Sequence, residues 1–226
     1  LSEFMDFYKT FYVPNNAVLS IAGDIDYDQT EKWVKTYFAE IPKGTKEIPR
    51  PTVVEPKRSQ EIRDIVYDNI QLPAVVEAYN MPRKDAPDSY ALDMLSTYLA
   101  GGKSSLLTKE VVDKQQKAVQ VMAMPLDLED GGLFLFLGIA NMGITADSLE
   151  LAIDQQIEKL KTNGITDQEF AKLRAQVENS VVSRHASVAG IAESLAEAKV
   201  YFGDANEINR ELEKYNKVTK ADIQRV

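Results

Sequence analysis

The run Leu133-Phe134-Leu135-Phe136-Leu137 constrains the fold more than any other stretch of the chain. Every residue in it is apolar, so it belongs in the core of a sheet. No basic residue interleaves with its aromatics, as a nucleic-acid stacking platform would require. It lies inside a predicted strand over 132–140 that pairs with another over 118–126. Their connection, Asp127-Leu128-Glu129-Asp130-Gly131-Gly132, carries the turn chemistry of a hairpin.

A second strand pair, over 59–67 and 73–81, is predicted ahead of this hairpin. Between the pairs, apolar periodicity predicts a helix over about 88–99, with Ala91, Leu92, Leu95, Tyr98 and Leu99 on one face, and another over 104–116. The glycine-rich turn Ala100-Gly101-Gly102 separates them. After the hairpin a helix over 146–162 stops at Asn163-Gly164. Thr166 and Glu169 then have the spacing of a capping box, opening a long helix with Phe170, Leu173, Val177 and Val181 inward. Helices over about 188–202 and 206–217 precede a last helical start at Thr219. This order of paired strands and paired helices predicts an α+β fold, an antiparallel or mixed sheet covered by helices.

Upstream the chain reads as a separate unit. A helix over 1–12 ends at Pro14-Asn15-Asn16. The apolar run Ala17–Ala22 suits a strand covered on both faces, and a helix over 27–41 places Trp33, Val34, Tyr37, Phe38 and Ile41 on one stripe. Pro42, Gly44, Pro49, Pro51 and Pro56 follow among charges, the signature of an exposed linker. The expected organisation is a helix–strand–helix unit over 1–43, a linker over 44–57 and a domain over 58–226.

Composition narrows the function. The 226 residues carry 26 Lys and Arg against 35 Asp and Glu, a net charge of −9. That field repels phosphate backbones, so nucleic acid is not an expected partner. With no cysteine, disulfides, thiolate metal sites and cysteine nucleophiles are excluded, while periplasm and cytoplasm both stay open. No apolar stretch reaches the ~20 residues of a membrane helix, so no membrane partner is expected. The Gly101-Gly102-Lys103-Ser104-Ser105 run lacks the spacer of a phosphate loop and lies between helices. Asp127, Glu129 and Asp130 do not follow an EF-hand pattern and suit a solvated hairpin tip. Nothing around Ser104 or Ser105 resembles a nucleophile elbow.

Several segments in order resemble the insulinase/pitrilysin-type zinc metallopeptidases, including the mitochondrial processing peptidases. They are Phe7 to Leu19 with Ala22-Gly23-Asp24, Trp33 to Pro42, Leu99 to Val111 through the glycine-rich turn, Asp130 to Ile139, and Ile165 to Leu173. The resemblance spans essentially the whole chain. It implies the second, non-catalytic domain of one half of a two-half clamshell, preceded by the tail of another domain and lacking its own final strand. It also implies that the zinc motif, His-x-x-Glu-His, belongs to that other domain. A catalytic zinc takes about three protein ligands. The single histidine, His185, cannot make a two-histidine motif and reads as a helix-end residue.

The chain is therefore expected to hold no metal, no cofactor and no catalytic residue. Its implied partners are a zinc-bearing domain, an opposing half and a peptide substrate. The family's substrate-holding arginine and tyrosine fall, by the same resemblance, on Val112 and Val119, which cannot donate hydrogen bonds. The other function this sequence permits is a structural or assembly subunit without peptidase activity. If Ala17–Ala22 is an orphan strand, it is expected to fill the gap in the sheet, within one chain or by exchange in a strand-swapped homodimer.

Overall fold

A computed structural model describes residues 1–50, 52–53 and 59–226. Helix α1 (Ser2–Phe11) leads into a 3₁₀ turn at Pro14–Asn16, and α2 (Tyr27–Phe38) follows. Asp26 caps α2 by accepting from the Gln29 amide at 2.8 Å. The sheet comprises β1 (Ala74–Met81), β2 (Ala118–Leu126) and β3 (Gly132–Ala140). Helix α3 (Pro87–Ala100) and a π-helical segment (Thr108–Lys114) stand between β1 and β2. Helices α4 (Ala146–Asn163), α5 (Asp167–Arg184) and α6 (Val188–Phe202), a 3₁₀ segment (Ala205–Asn209), α7 (Glu211–Lys217) and α8 (Lys220–Arg225) complete the chain.

The strand order is β1-β3-β2, antiparallel throughout, with the apolar run of β3 in the middle. Alternation along β3 sends Phe134, Phe136, Gly138 and Ala140 to one face, where the first two and the last are buried. Helix α4 comes so close there that a Cβ on Gly138 would lie 2.9 Å from the Leu149 side chain. Leu149 and Ile153, both fully buried, each contribute about 1.5–3 kcal/mol of burial to that contact. Helix α3 packs on β2 and against α5, α7 and α8. Met94, Leu99, Leu107, Val111 and Ile223 join the same core.

Three sequence expectations need correction. Residues 59–67 form no strand, and Ile62, Ile65, Val66 and Tyr67 are exposed. Residues 17–22 likewise make no ladder, and Val18, Leu19 and Ile21 are exposed, so they do not fill a gap in this chain's sheet. In both cases local β-propensity is satisfied only when a second strand supplies the hydrogen bonds. The 104–116 helix is wound partly as a π-helix, with the Gln115 amide donating to the Glu110 carbonyl at 3.0 Å. That wider turn keeps Leu107 and Val111 in the core and ends at Gln116, whose φ is +52°. Of the expected linker, Pro51 and residues 54–57 lie outside the described residues, as does residue 58 at the expected domain start.

The remaining elements follow the sequence closely. The capping box at Thr166 is complete: its hydroxyl accepts from the Glu169 amide, and the Glu169 carboxylate accepts from the Thr166 amide. The expected 206–217 helix divides at Arg210 into the 3₁₀ segment and α7.

Candidate functional site

The pleat that buries Phe134 and Phe136 turns Leu133, Leu135, Leu137 and Ile139 to the opposite face of β3. Register places Val76 and Met122 beside Leu137, Ala78 and Met124 beside Leu135, and Leu126 beside Leu133. None of these residues is buried; Val76 is 64% exposed. The result is a broad apolar sheet face with Asn80 and Gln120 as its polar members. Because α4 occupies the other face, this one is bare of helix cover among the described residues. A bare apolar face of this kind suits an extended, apolar polypeptide or a second protein surface.

The glycine-rich turn stands at the end of α3. Gly102 has φ +140°, a conformation that favours glycine. The Ser105 hydroxyl donates to the Gly102 carbonyl at 2.6 Å, and Lys172 on α5 donates to the Ser104 hydroxyl at 2.6 Å. Those serines are thus engaged in holding the turn between helices. At Gly101 a Cβ would lie 2.5 Å from the Thr97 carbonyl oxygen, so the chain closes tightly there. Val112 sits on the π-helical segment, half-buried against the core. Val119 occupies the bulge between Ala118 and Gln120 at the start of β2 and is 54% exposed.

His185 caps α5, with Nε2 3.6 Å from Glu211 Oε2, while the other oxygen of that carboxylate pairs with Arg184. That surrounding offers one carboxylate already claimed by a guanidinium, a donor set that does not fit zinc. Among the described residues no three histidine or carboxylate side chains converge on a common point. No helix of the described residues is long and apolar enough to cross a membrane.

Sequence reasoning missed the bare sheet face as a site. Its signal was present in the doubled apolarity of β3, whose leucines, unlike its phenylalanines, have no covering helix.

Comparison with known proteins gives this geometry a setting. The family model described as the peptidase M16 inactive domain matches residues 1–177. Zinc protease PqqE of Helicobacter pylori is 32% identical over 194 residues, covering 85% of this chain and 44% of that protein. The crystal structure of a protease from Helicobacter pylori superposes with a TM-score of 0.93 at 30% identity, covering 100% of this chain and 55% of that one. A peptidase M16 inactive domain from Pseudomonas fluorescens shares the fold, with a TM-score of 0.59 at 19% identity over 67% of this chain and 36% of that one. The chain spans about half the length of the curated relatives it matches.

Proposed function

This chain belongs to the peptidase M16 family as its inactive domain, and from that membership we propose that it is the non-catalytic wall of a zinc-dependent peptidase. Its work is to complete the half that carries a zinc-bearing domain and to present a surface to peptide substrate and to the opposing half. The reading that the chain itself holds no zinc and cleaves nothing belongs to the same proposal. So does the division into a unit over 1–43 that sits with the zinc-bearing domain, a linker over 44–57 and the domain proper from 58.

The observation that carries the proposal is the bare apolar face of the sheet. Burying a Val or Leu side chain there returns about 1.5–3 kcal/mol, so an extended peptide laid across Val76, Leu135 and Leu137 gains affinity without needing a specific sequence. Val112 and Val119, in the places of the family's arginine and tyrosine, fit this division of labour. A wall with valines at those positions offers apolar contact and leaves polar anchoring of the substrate to the opposing half.

The test is Val76→Lys and Leu126→Lys in the complex with the zinc-bearing domain, assayed with a quenched fluorescent peptide. Both residues are exposed, so the fold should survive. The expected result is a KM raised at least several-fold with zinc content unchanged. Unaltered KM in both variants would remove the sheet face from substrate binding.

A further inference from the structure

The six methionines of the chain fall into three settings. Met81 and Met94 lie in the core, 6% and 1% exposed. Met5 on α1 and Met142 in the turn after β3 stand on the surface, 39% and 85% exposed. Met122 and Met124 belong to neither group. Both are half-buried, and alternation along β2 sends Val121 and Ala123 into the core and these two side chains to the bare sheet face. Their register partners are Leu137 and Leu135, the leucines across which the peptide is proposed to lie. Same-face neighbours on a strand are about 7 Å apart, so the two thioethers make one patch.

The rest of that face is hydrocarbon, apart from the amides of Asn80 and Gln120. A thioether is unbranched and polarizable, so it adapts to apolar partners of differing shape. It is also the one group there that a peroxide converts. The sulfur attacks one peroxide oxygen, the O–O bond breaks and an S=O bond forms. Sulfur gives up two electrons, and the second oxygen leaves as water with both peroxide hydrogens. The product is a polar sulfoxide whose oxygen accepts hydrogen bonds. An apolar peptide laid over it strips water from that oxygen and returns no donor. Because β2 is an edge of the sheet and no helix among the described residues covers this face, an oxidant reaches both sulfurs. Met81 and Met94, which the core needs, are shielded from it.

We propose that Met122 and Met124 form a modification site, at which oxidation by a peroxide turns the sheet face from peptide-binding to non-binding. Methionine sulfoxide reductases, which reduce both sulfoxide epimers, restore it. The proposal rests on the reading of this face as the substrate surface. Since both residues lie outside the core, oxidation weakens binding and leaves the fold standing.

The test exposes the complex with the zinc-bearing domain to hydrogen peroxide, removes the oxidant, and records peptide maps, melting temperature and KM for an apolar quenched fluorescent peptide. Met122 and Met124 should each gain one oxygen while Met81 and Met94 gain none. KM should rise at least about fivefold, as buried sulfoxides lose their water, and sulfoxide reductase should return it to its first value. In the double variant Met122→Leu with Met124→Leu, which keeps Met5 and Met142, KM after peroxide should equal KM before it, whatever the starting value. That comparison also separates damage to the zinc-bearing domain, which the double variant would still suffer. If the double variant does not fold, each single variant should show a smaller rise than the unaltered chain. Four results would overturn the proposal: oxidation of Met142 with Met122 and Met124 untouched, an equal rise in the double variant, a collapse of the melting temperature, or oxidation of both sulfurs with KM unmoved. In the last case Val76→Lys and Leu126→Lys locate the failure. If they raise KM, only the oxidation switch falls; if they do not, the substrate reading of the face falls and takes the switch with it.

Discussion

Glu77 faces the helix side of β1, an edge strand, where it accepts from the Tyr79 hydroxyl at 3.1 Å while its other oxygen has no partner among the described residues. Burial, helped by the nearby Asp154 carboxylate, lifts its pKa from the ordinary 4.5 to about 7. The folded chain therefore keeps a proton between about pH 4.5 and 7 that the unfolded chain releases. Linkage makes stability fall as pH rises through that window. Asp154 is shifted in the same direction by burial and Glu150, and so acts in the same sense. Urea midpoints measured across this range should decline for the unaltered chain and flatten for Glu77→Gln, most clearly in the middle of that window, where the folded chain holds the proton and the unfolded chain has released it. An unchanged slope in the variant would mean that the proton is held elsewhere.

At the scale of elements, the pieces whose determinants are local were legible and the non-local ones were not. The hairpin was readable because Asp127 to Gly132 is a turn between two apolar runs, and both strand ranges agree with the structure. Helix α5 was readable from Thr166 and Glu169, and its cap stands as drawn. Replacing Thr166 by Ala removes the acceptor for the Glu169 amide and should cost about 1 kcal/mol, measurable as a lowered urea midpoint. By contrast, 59–67 has strand-like residues and no strand. The fate of Ile62 and Tyr67 depends on whether another strand stands beside them, which their own sequence does not encode. The π-helical winding after Leu107 was hidden for a related reason: it is chosen by the packing of Leu107 and Val111, and a helical period reads similarly either way.

For the whole molecule, the decisive fact is the contrast between its two ends. Downstream of β1 the chain buries Leu149, Ile153, Leu173 and Ile223 in one core. Helices α1 and α2 bury no residue at all, although Phe4, Phe7, Trp33 and Phe38 are large and apolar. Each such side chain left in water forgoes about 1.5–3 kcal/mol, and contiguous exposed apolar surface marks an interface. The proposal that residues 1–43 sit with a zinc-bearing domain accounts for this surface, and Ala17–Ala22 would then pair with that domain's sheet. Amide exchange provides the measurement. Residues 17–22 should exchange freely in the isolated chain and at least a hundredfold more slowly in the complex with the zinc-bearing domain. Zinc, measured by elemental analysis after dialysis, should follow that domain and not this chain. Light scattering separates the remaining outcome. A concentration-dependent dimer of the isolated chain with residues 17–22 protected would mean that a second copy supplies the missing strand, and the docking assignment for residues 1–43 would fall.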